Sequence, residues 1–144
     1  MDFLDHEVIE FVVTHYRSWA IVGASNNSSR PSNGVMHFLK NQGYDIIPIN
    51  PNEDKVLGRK CYPSLTAASS EHTIEVVDVF RKPDEVDPVA LEAIAINARA
   101  IWFQLGVINI IAATTASQGG LQVVMNACPK IEIPKLGDLP KLWH

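Results

Sequence analysis

The chain has 144 residues, of which 47% are apolar and 19% charged, and a formal net charge of -4, the composition of one ordinary globular domain. A chain of this size buries about two-thirds of the surface its unfolded form exposes, so it needs neither a disulfide framework nor a structural metal. Cys61 and Cys128 lie outside any CxxC motif or Cys/His cluster, which fits a reducing compartment. No apolar run approaches the roughly 18 residues needed to span a bilayer, and the start, MDFLDHEVIEF, is acidic where a leader would be basic. The absence of a basic block argues against broad nucleic-acid binding. A single domain over residues 1 to 144, cytoplasmic, with no membrane or nucleic-acid partner, is therefore expected; its oligomeric state is open.

In chain order, residues 2 to 16 place Leu4, Val8, Phe11 and Val12 at helical spacing, with acidic side chains in the early turns, and residues 1 to 16 read as an N-terminal helix. Trp19-Ala20-Ile21-Val22 is a continuous apolar run stopped by Gly23, the pattern of a strand covered on both faces. A polar loop follows, and Pro31 to Gly43 reads as a helix opened by proline and closed by glycine. Strands are then predicted at Asp45 to Ile49, Ile74 to Phe80, Ala100 to Gln104 and Leu121 to Met125, with helices over Glu85 to Ala98 and Asn109 to Gln118. Pro48 disfavours a central position for the second strand. The segment from Pro129 to His144 carries three prolines and is expected to wrap the surface as an extended tail. Such alternation predicts an α/β fold, a Rossmann-like, doubly wound, five-stranded parallel sheet with the first strand central.

In open parallel sheets ligands bind outside the carboxyl ends of the strands. The loop 23 to 30, GASNNSSR, has glycine at the sharp turn, small residues that let backbone amides approach an oxyanion, and Arg30 ahead of a helix start. It reads as a phosphate cradle or, alternatively, as an ordinary Gly/Ser/Asn turn. The dinucleotide fingerprint GxGxxG is broken by Ser25 and Ser28, the acidic residue expected after the second strand is replaced by Asn50-Pro51, and no P-loop motif occurs.

IVGASNNSSRPSNGVMHFL, GYDIIPINPNEDKVLGRKCYPSL, VVDVFRKPDEV and IWFQLGVIN together resemble the small bacterial and archaeal CoA-binding proteins, which are similar to the CoA-binding domain of the succinyl-CoA synthetase α subunit. The resemblance runs nearly end to end and implies a single Rossmann-like domain that binds coenzyme A or an acyl-CoA. It puts the phosphate loop on Gly23, Ala24, Ser25 and Arg30, with Pro31 and Ser32 opening the next helix, and the adenosine near Asn50 and Pro51. It also implies that Val79, Phe80, Arg81 and Lys82 flank the adenine or ribose phosphate, and that Gln104 to Gly106 line the pantetheine path. With Lys55, Arg59 and Lys60, the cations Arg30, Arg81 and Lys82 make up six of the chain's twelve basic residues. A locally basic mouth is one reading of them; for Lys55, Arg59 and Lys60 a solvated loop is the other.

The chain departs from the family pattern at Ile110 and Asn126, where relatives tend to carry carboxylates, and this weakens any general acid/base chemistry at the pocket rim. Cys128 follows the fifth strand, yet no histidine shares its motif, so a resting thiol is favoured over a nucleophile. Cys61 reads as packing, and Trp19 and Trp102 as core. Three functions remain: a noncatalytic module that binds or senses CoA, an NAD-type dinucleotide-binding regulatory domain, and an acyl-CoA or thiol-exchange enzyme using Cys128. Whether any reaction is catalysed stays open, with binding favoured.

Overall fold

The computed structural model describes residues 3–138 and 140–143. Five parallel strands, β1 (Ser18–Val22), β2 (Asp45–Ile49), β5 (Val76–Val79), β6 (Ala100–Phe103) and β7 (Gln122–Met125), form one sheet in the order β2-β1-β5-β6-β7. Helices α1 (His6–His15), α2 (Pro31–Asn41) and α6 (Pro129–Lys135) pack with one buried cluster, and α3 (Leu65–Ser69), α4 (Asp87–Ala95) and α5 (Ile110–Gln118) with the other. The alternation of residues along β1 sorts the clusters: Ala20 and Val22 join Val77, Val79 and Phe103, while Trp19 and Ile21 join Val76, Trp102 and Met36. This is the doubly wound α/β architecture that the continuous apolar runs predict.

The first strand is interior but not central. β2 lies on one side of β1 and the other three strands on the other, so β5 occupies the middle. The order turns back between β1 and β5, and the crevice outside their carboxyl ends is the switch point of the sheet. β2 is the edge strand, as Pro48 requires. The Pro48 carbonyl accepts from Tyr62 N–H at 3.0 Å on the side away from β1, so the N–H that proline lacks would also have faced the edge.

Several boundaries shift. The first helix starts at His6, because Asp5 caps it by accepting from Glu7 N–H at 2.8 Å. A small antiparallel hairpin, β3 (Lys55–Val56) with β4 (Arg59–Lys60), and α3 fill the long connection from β2 to β5. The extended tail expected from Pro129 is corrected in its first half. Pro129 sits in the first helical turn, where its missing N–H costs nothing, and Pro134 falls in the last turn, so residues 129 to 135 form a short helix. Among the described residues beyond Gly137 no regular element forms, and residues 139 and 144 of the expected tail lie outside the described residues; Leu142 N–H donates to Thr14 O at 2.7 Å and the Trp143 ring lies 4.7 Å from that of Tyr44.

Trp19 and Trp102 are fully buried, and each indole N–H is satisfied, by Tyr16 O and Ala127 O, both at 2.9 Å. Asp78 is the exception to this economy. It lies in register between Ile21 and Trp102 on the middle strand, is wholly buried, and neither carboxyl oxygen has a hydrogen-bond partner among the described residues. Burial raises its pKa well above the usual 3.8. The folded chain therefore holds this proton more tightly than the unfolded chain, and Asp78's contribution is fullest below that ordinary value and is lost as pH rises toward the folded one. Asp78→Asn keeps the shape and cannot ionise. Relative to it, the wild-type melting temperature is expected to fall as calorimetry is carried upward from about pH 4; parallel profiles for the two proteins would disprove it.

Candidate functional site

The loop after β1 is assembled by side chains that pull its carbonyls inward. Ser32 Oγ donates to Gly23 O at 2.9 Å, Asn50 Nδ2 to Ala24 O at 2.8 Å, and Asn33 Nδ2 to Ser25 O at 3.0 Å. Gly23 N–H and Ala24 N–H both donate to Ile49 O, at 3.0 and 3.2 Å. With three successive carbonyls held this way, the N–H groups of Ser25, Asn26 and Ser28 have no acceptor among the described residues. Backbone amides without acceptors, ahead of a helix N-terminus, can donate to an oxyanion.

The rest of the loop is braced. Ser25 Oγ accepts from Asn27 N–H at 3.0 Å, Asn27 Oδ1 accepts from Ser29 N–H at 2.9 Å, and Asn26 clamps the β3–β4 hairpin by donating to Lys55 O and accepting from Leu57 N–H. The local signals at Gly23 and Arg30 do not disclose the role of Asn26, whose partners Lys55 and Leu57 lie about thirty residues away.

Gly23 is where the two sides of the switch point meet. Its φ is +91°, and a Cβ there would stand 2.3 Å from Phe80 O, so only glycine fits. Arg30 is the N-cap residue of α2 with extended backbone, is exposed, and has no acidic partner among the described residues. Pro31 is exposed at the first helical position, and Ser32 is buried beneath the loop. A further cation arrives from α6: Lys130 Nζ lies 3.6 Å from where a Cβ on Gly34, in the first turn of α2, would be. Lys130 belongs to the segment expected to be tail, so only the packing of α6 on α2 reveals it.

The other residues are placed less uniformly. Asn50 is structural on two counts, bonding Ala24 O and accepting from Asn52 N–H at 2.9 Å, while Pro51 beside it is exposed. Val79 is wholly buried in the core, so its side chain faces no ligand; Phe80 is half-buried at the crevice. Arg81 is paired with Glu85 at 2.7 Å, both partners about 40% exposed, whereas Lys82 is exposed and unpaired among the described residues.

The basic mouth is thinner than the sequence suggests. Arg59 pairs with Asp45 at 2.7 Å, at the amino end of β2, and Lys60 with Glu71 at 3.0 Å, so these two cations bolt the hairpin to the body of the domain. Gln104 is buried just after β6, and its Oε1 has no donor among the described residues. Gly106, with φ +80°, donates its N–H to Asn126 Oδ1 at 2.9 Å. Asn126 thus pins the loop after β6.

Cys128 is buried as the N-cap residue of α6 and makes no side-chain cap bond. Burial pushes the Cys61 thiol up, and its Sγ lies 3.6 Å from Asn50 O. Neither thiol has a histidine among its hydrogen-bond partners, and no cluster of three or more metal-ligating side chains occurs among the described residues.

The fold is a doubly wound domain whose β1–α2 loop, with backbone amides that lack acceptors among the described residues, lies at the switch point of the main sheet. Comparison with known proteins gives the family: residues 17–134 match the CoA binding domain model, and the chain belongs to that family. It is 32% identical over 123 residues to uncharacterized protein YneT of Bacillus subtilis, covering 85% of this chain and 90% of YneT. It is 37% identical over 68 residues to acetate–CoA ligase [ADP-forming] II of Archaeoglobus fulgidus, a match covering 46% of this chain and 10% of the ligase. Among solved structures, a hypothetical protein from Pyrococcus horikoshii superposes with a TM-score of 0.89 at 40% identity, covering 94% of each chain. No helix among the described residues is long and apolar enough to cross a membrane.

Proposed function

We propose that this domain binds coenzyme A at the carboxyl edge of its sheet, with the diphosphate in the β1–α2 loop, and that it acts as a binding or sensing module in the cytoplasm. The observation that carries this reading is the loop itself: free amides at Ser25, Asn26 and Ser28, carbonyls tied back, and an unpaired Arg30 at the head of α2. That donor set fits an anion that makes many hydrogen bonds at once. Adenosine then lies toward Asn50 and Pro51, and the ribose phosphate toward Phe80, Arg81 and Lys82. Arg81 exchanges its exposed pairing with Glu85, a weak interaction, for the phosphate. Pantetheine follows Gln104 to Gly106. A binding role is favoured over thiol chemistry because Cys128 is buried without a hydrogen-bonded base.

A ligand series tests the assignment loop by loop. At a hundred times its dissociation constant a ligand stabilises the native state by about 2.7 kcal/mol, which for a domain of this size is a melting shift of roughly 5 to 15 °C. Coenzyme A is expected to give such a shift and NAD at equal concentration little. Dephospho-CoA is expected to fall between them, keeping the diphosphate contacts and losing the ribose phosphate. Equal stabilisation by NAD would move the protein to the dinucleotide reading. Equality of dephospho-CoA with CoA would remove Arg81 and Lys82 from the site and leave the loop after β1 in it.

A further inference from the structure

Residues 100 to 129 contain no Asp, Glu, Lys, Arg or His. Where this stretch reaches the carboxyl edge of the sheet, it exposes large apolar side chains in sequence: Leu105 is 55% exposed, Ile108 50%, Ile110 54% and Ile111 75%. Their neighbours in α5, Ala112, Ala113 and Ala116, are fully buried, so the helix is anchored by small residues while its larger ones stay in solvent. Four large apolar side chains left in solvent within seven residues of chain are the kind of surface that an interaction covers. The run begins next to Gln104, a buried amide whose Oε1 lacks a donor. It is held in place at both ends, by Gly106 N–H on Asn126 Oδ1 and by Asn109 Nδ2 on Pro83 O at 2.8 Å.

The edge of the sheet is therefore graded. Free amides, Arg30 and Lys130 stand at the β1–α2 end, an unsatisfied amide acceptor at the end of β6, and an uncharged apolar surface beyond it. A ligand complementary to that gradient has an anionic head, an arm carrying amide N–H groups and an apolar end. We propose that the preferred ligand is a CoA thioester of an apolar acyl chain, with the chain lying on Leu105, Ile108, Ile110 and Ile111. This rests on the CoA reading above. An amide N–H of the pantetheine arm satisfies Gln104 Oε1 after a rotation of that side chain, and the acyl chain covers surface that free CoA leaves wet.

Calorimetric titration with CoA, octanoyl-CoA and succinyl-CoA, on the wild type and on Ile111→Ser, tests it. Octanoyl-CoA is expected to bind about tenfold more tightly than CoA, which asks the surface to cover the equivalent of only about two methylenes. Succinyl-CoA, whose chain ends in a carboxylate, is expected to gain nothing over CoA. Ile111 is mostly in solvent, so Ile111→Ser is expected to fold normally, bind CoA as the wild type does and lose most of the octanoyl gain. If CoA binds but octanoyl-CoA binds no better, or if the gain survives in Ile111→Ser, the acyl assignment is overturned and the CoA reading stands. If none of the three binds, both fall. A concentration-dependent wild-type dimer in sedimentation that Ile111→Ser abolishes would make the patch an interface between copies and overturn the proposal.

Discussion

Gly23→Ala is expected to lower stability by roughly 2 to 5 kcal/mol and to remove CoA binding with it. Two independent costs meet at this position. The φ of +91° is a conformation that a residue with a Cβ adopts only under strain, and the Cβ would stand 2.3 Å from Phe80 O. Phe80 O is a main-chain atom at the end of the middle strand and cannot rotate away, so β1 and β5 must part where the register pairs Val22 with Val79. Parting them breaks the Phe80 N–H bond to Val22 O at 2.9 Å and opens the crevice that the site occupies. Urea unfolding of the variant is the measurement. A midpoint within experimental error of the wild type would show that the strand ends are not in the contact described.

Arg30→Ala is expected to do the opposite: leave the fold intact and weaken CoA binding roughly tenfold to a hundredfold, the loss of charge-assisted hydrogen bonds worth about 1.5 to 3 kcal/mol. The side chain is exposed, has no ion pair among the described residues, and makes no cap bond to α2, so stability is expected to stay within about 0.5 kcal/mol. Arg30→Lys keeps the charge without the planar fork and is expected to recover only part of the affinity. Unchanged affinity in Arg30→Ala, read by calorimetric titration, would remove this residue from the site.

The contrast between these two positions shows what sequence alone can convey. A glycine that ends a buried apolar run announces a turn, and an arginine before proline announces a helix start; both were legible because the signals are local. The strand runs were legible for the same reason, since a strand with helices on both faces needs no polar alternation. The strand order was not. Whether the chain after β2 crosses back over β1 is decided by packing across the whole sheet, and β5 rather than β1 takes the middle place.

Charge was the least legible property. Arg59 and Lys60 read either as part of a basic mouth or as a solvated loop until the fold pairs them with Asp45 and Glu71, fourteen and eleven residues away. Lys130, assigned to an extended tail on account of its prolines, ends over the first turn of α2. Asp78 sits inside a motif that carries the family resemblance, yet its isolation follows only from a register that sets it between Ile21 and Trp102. Asn33 in the second helix and Asn50 after the second strand prove to hold the carbonyls of Ser25 and Ala24, and Asn26 to hold the β3–β4 hairpin, partnerships that only the fold reveals.

Coenzyme A held by the backbone of the β1–α2 loop would act on its amides, and amide chemical shifts report on that backbone directly. In a titration of the ¹⁵N-labelled chain with CoA, the largest displacements are expected at the N–H groups of Ser25, Asn26 and Ser28, with those around Phe80 and Gly106 following as the ligand extends along the edge. Displacements confined to the amino edge of the sheet, near Asp45 and Glu75, or loop amides unmoved at saturation, would contradict it.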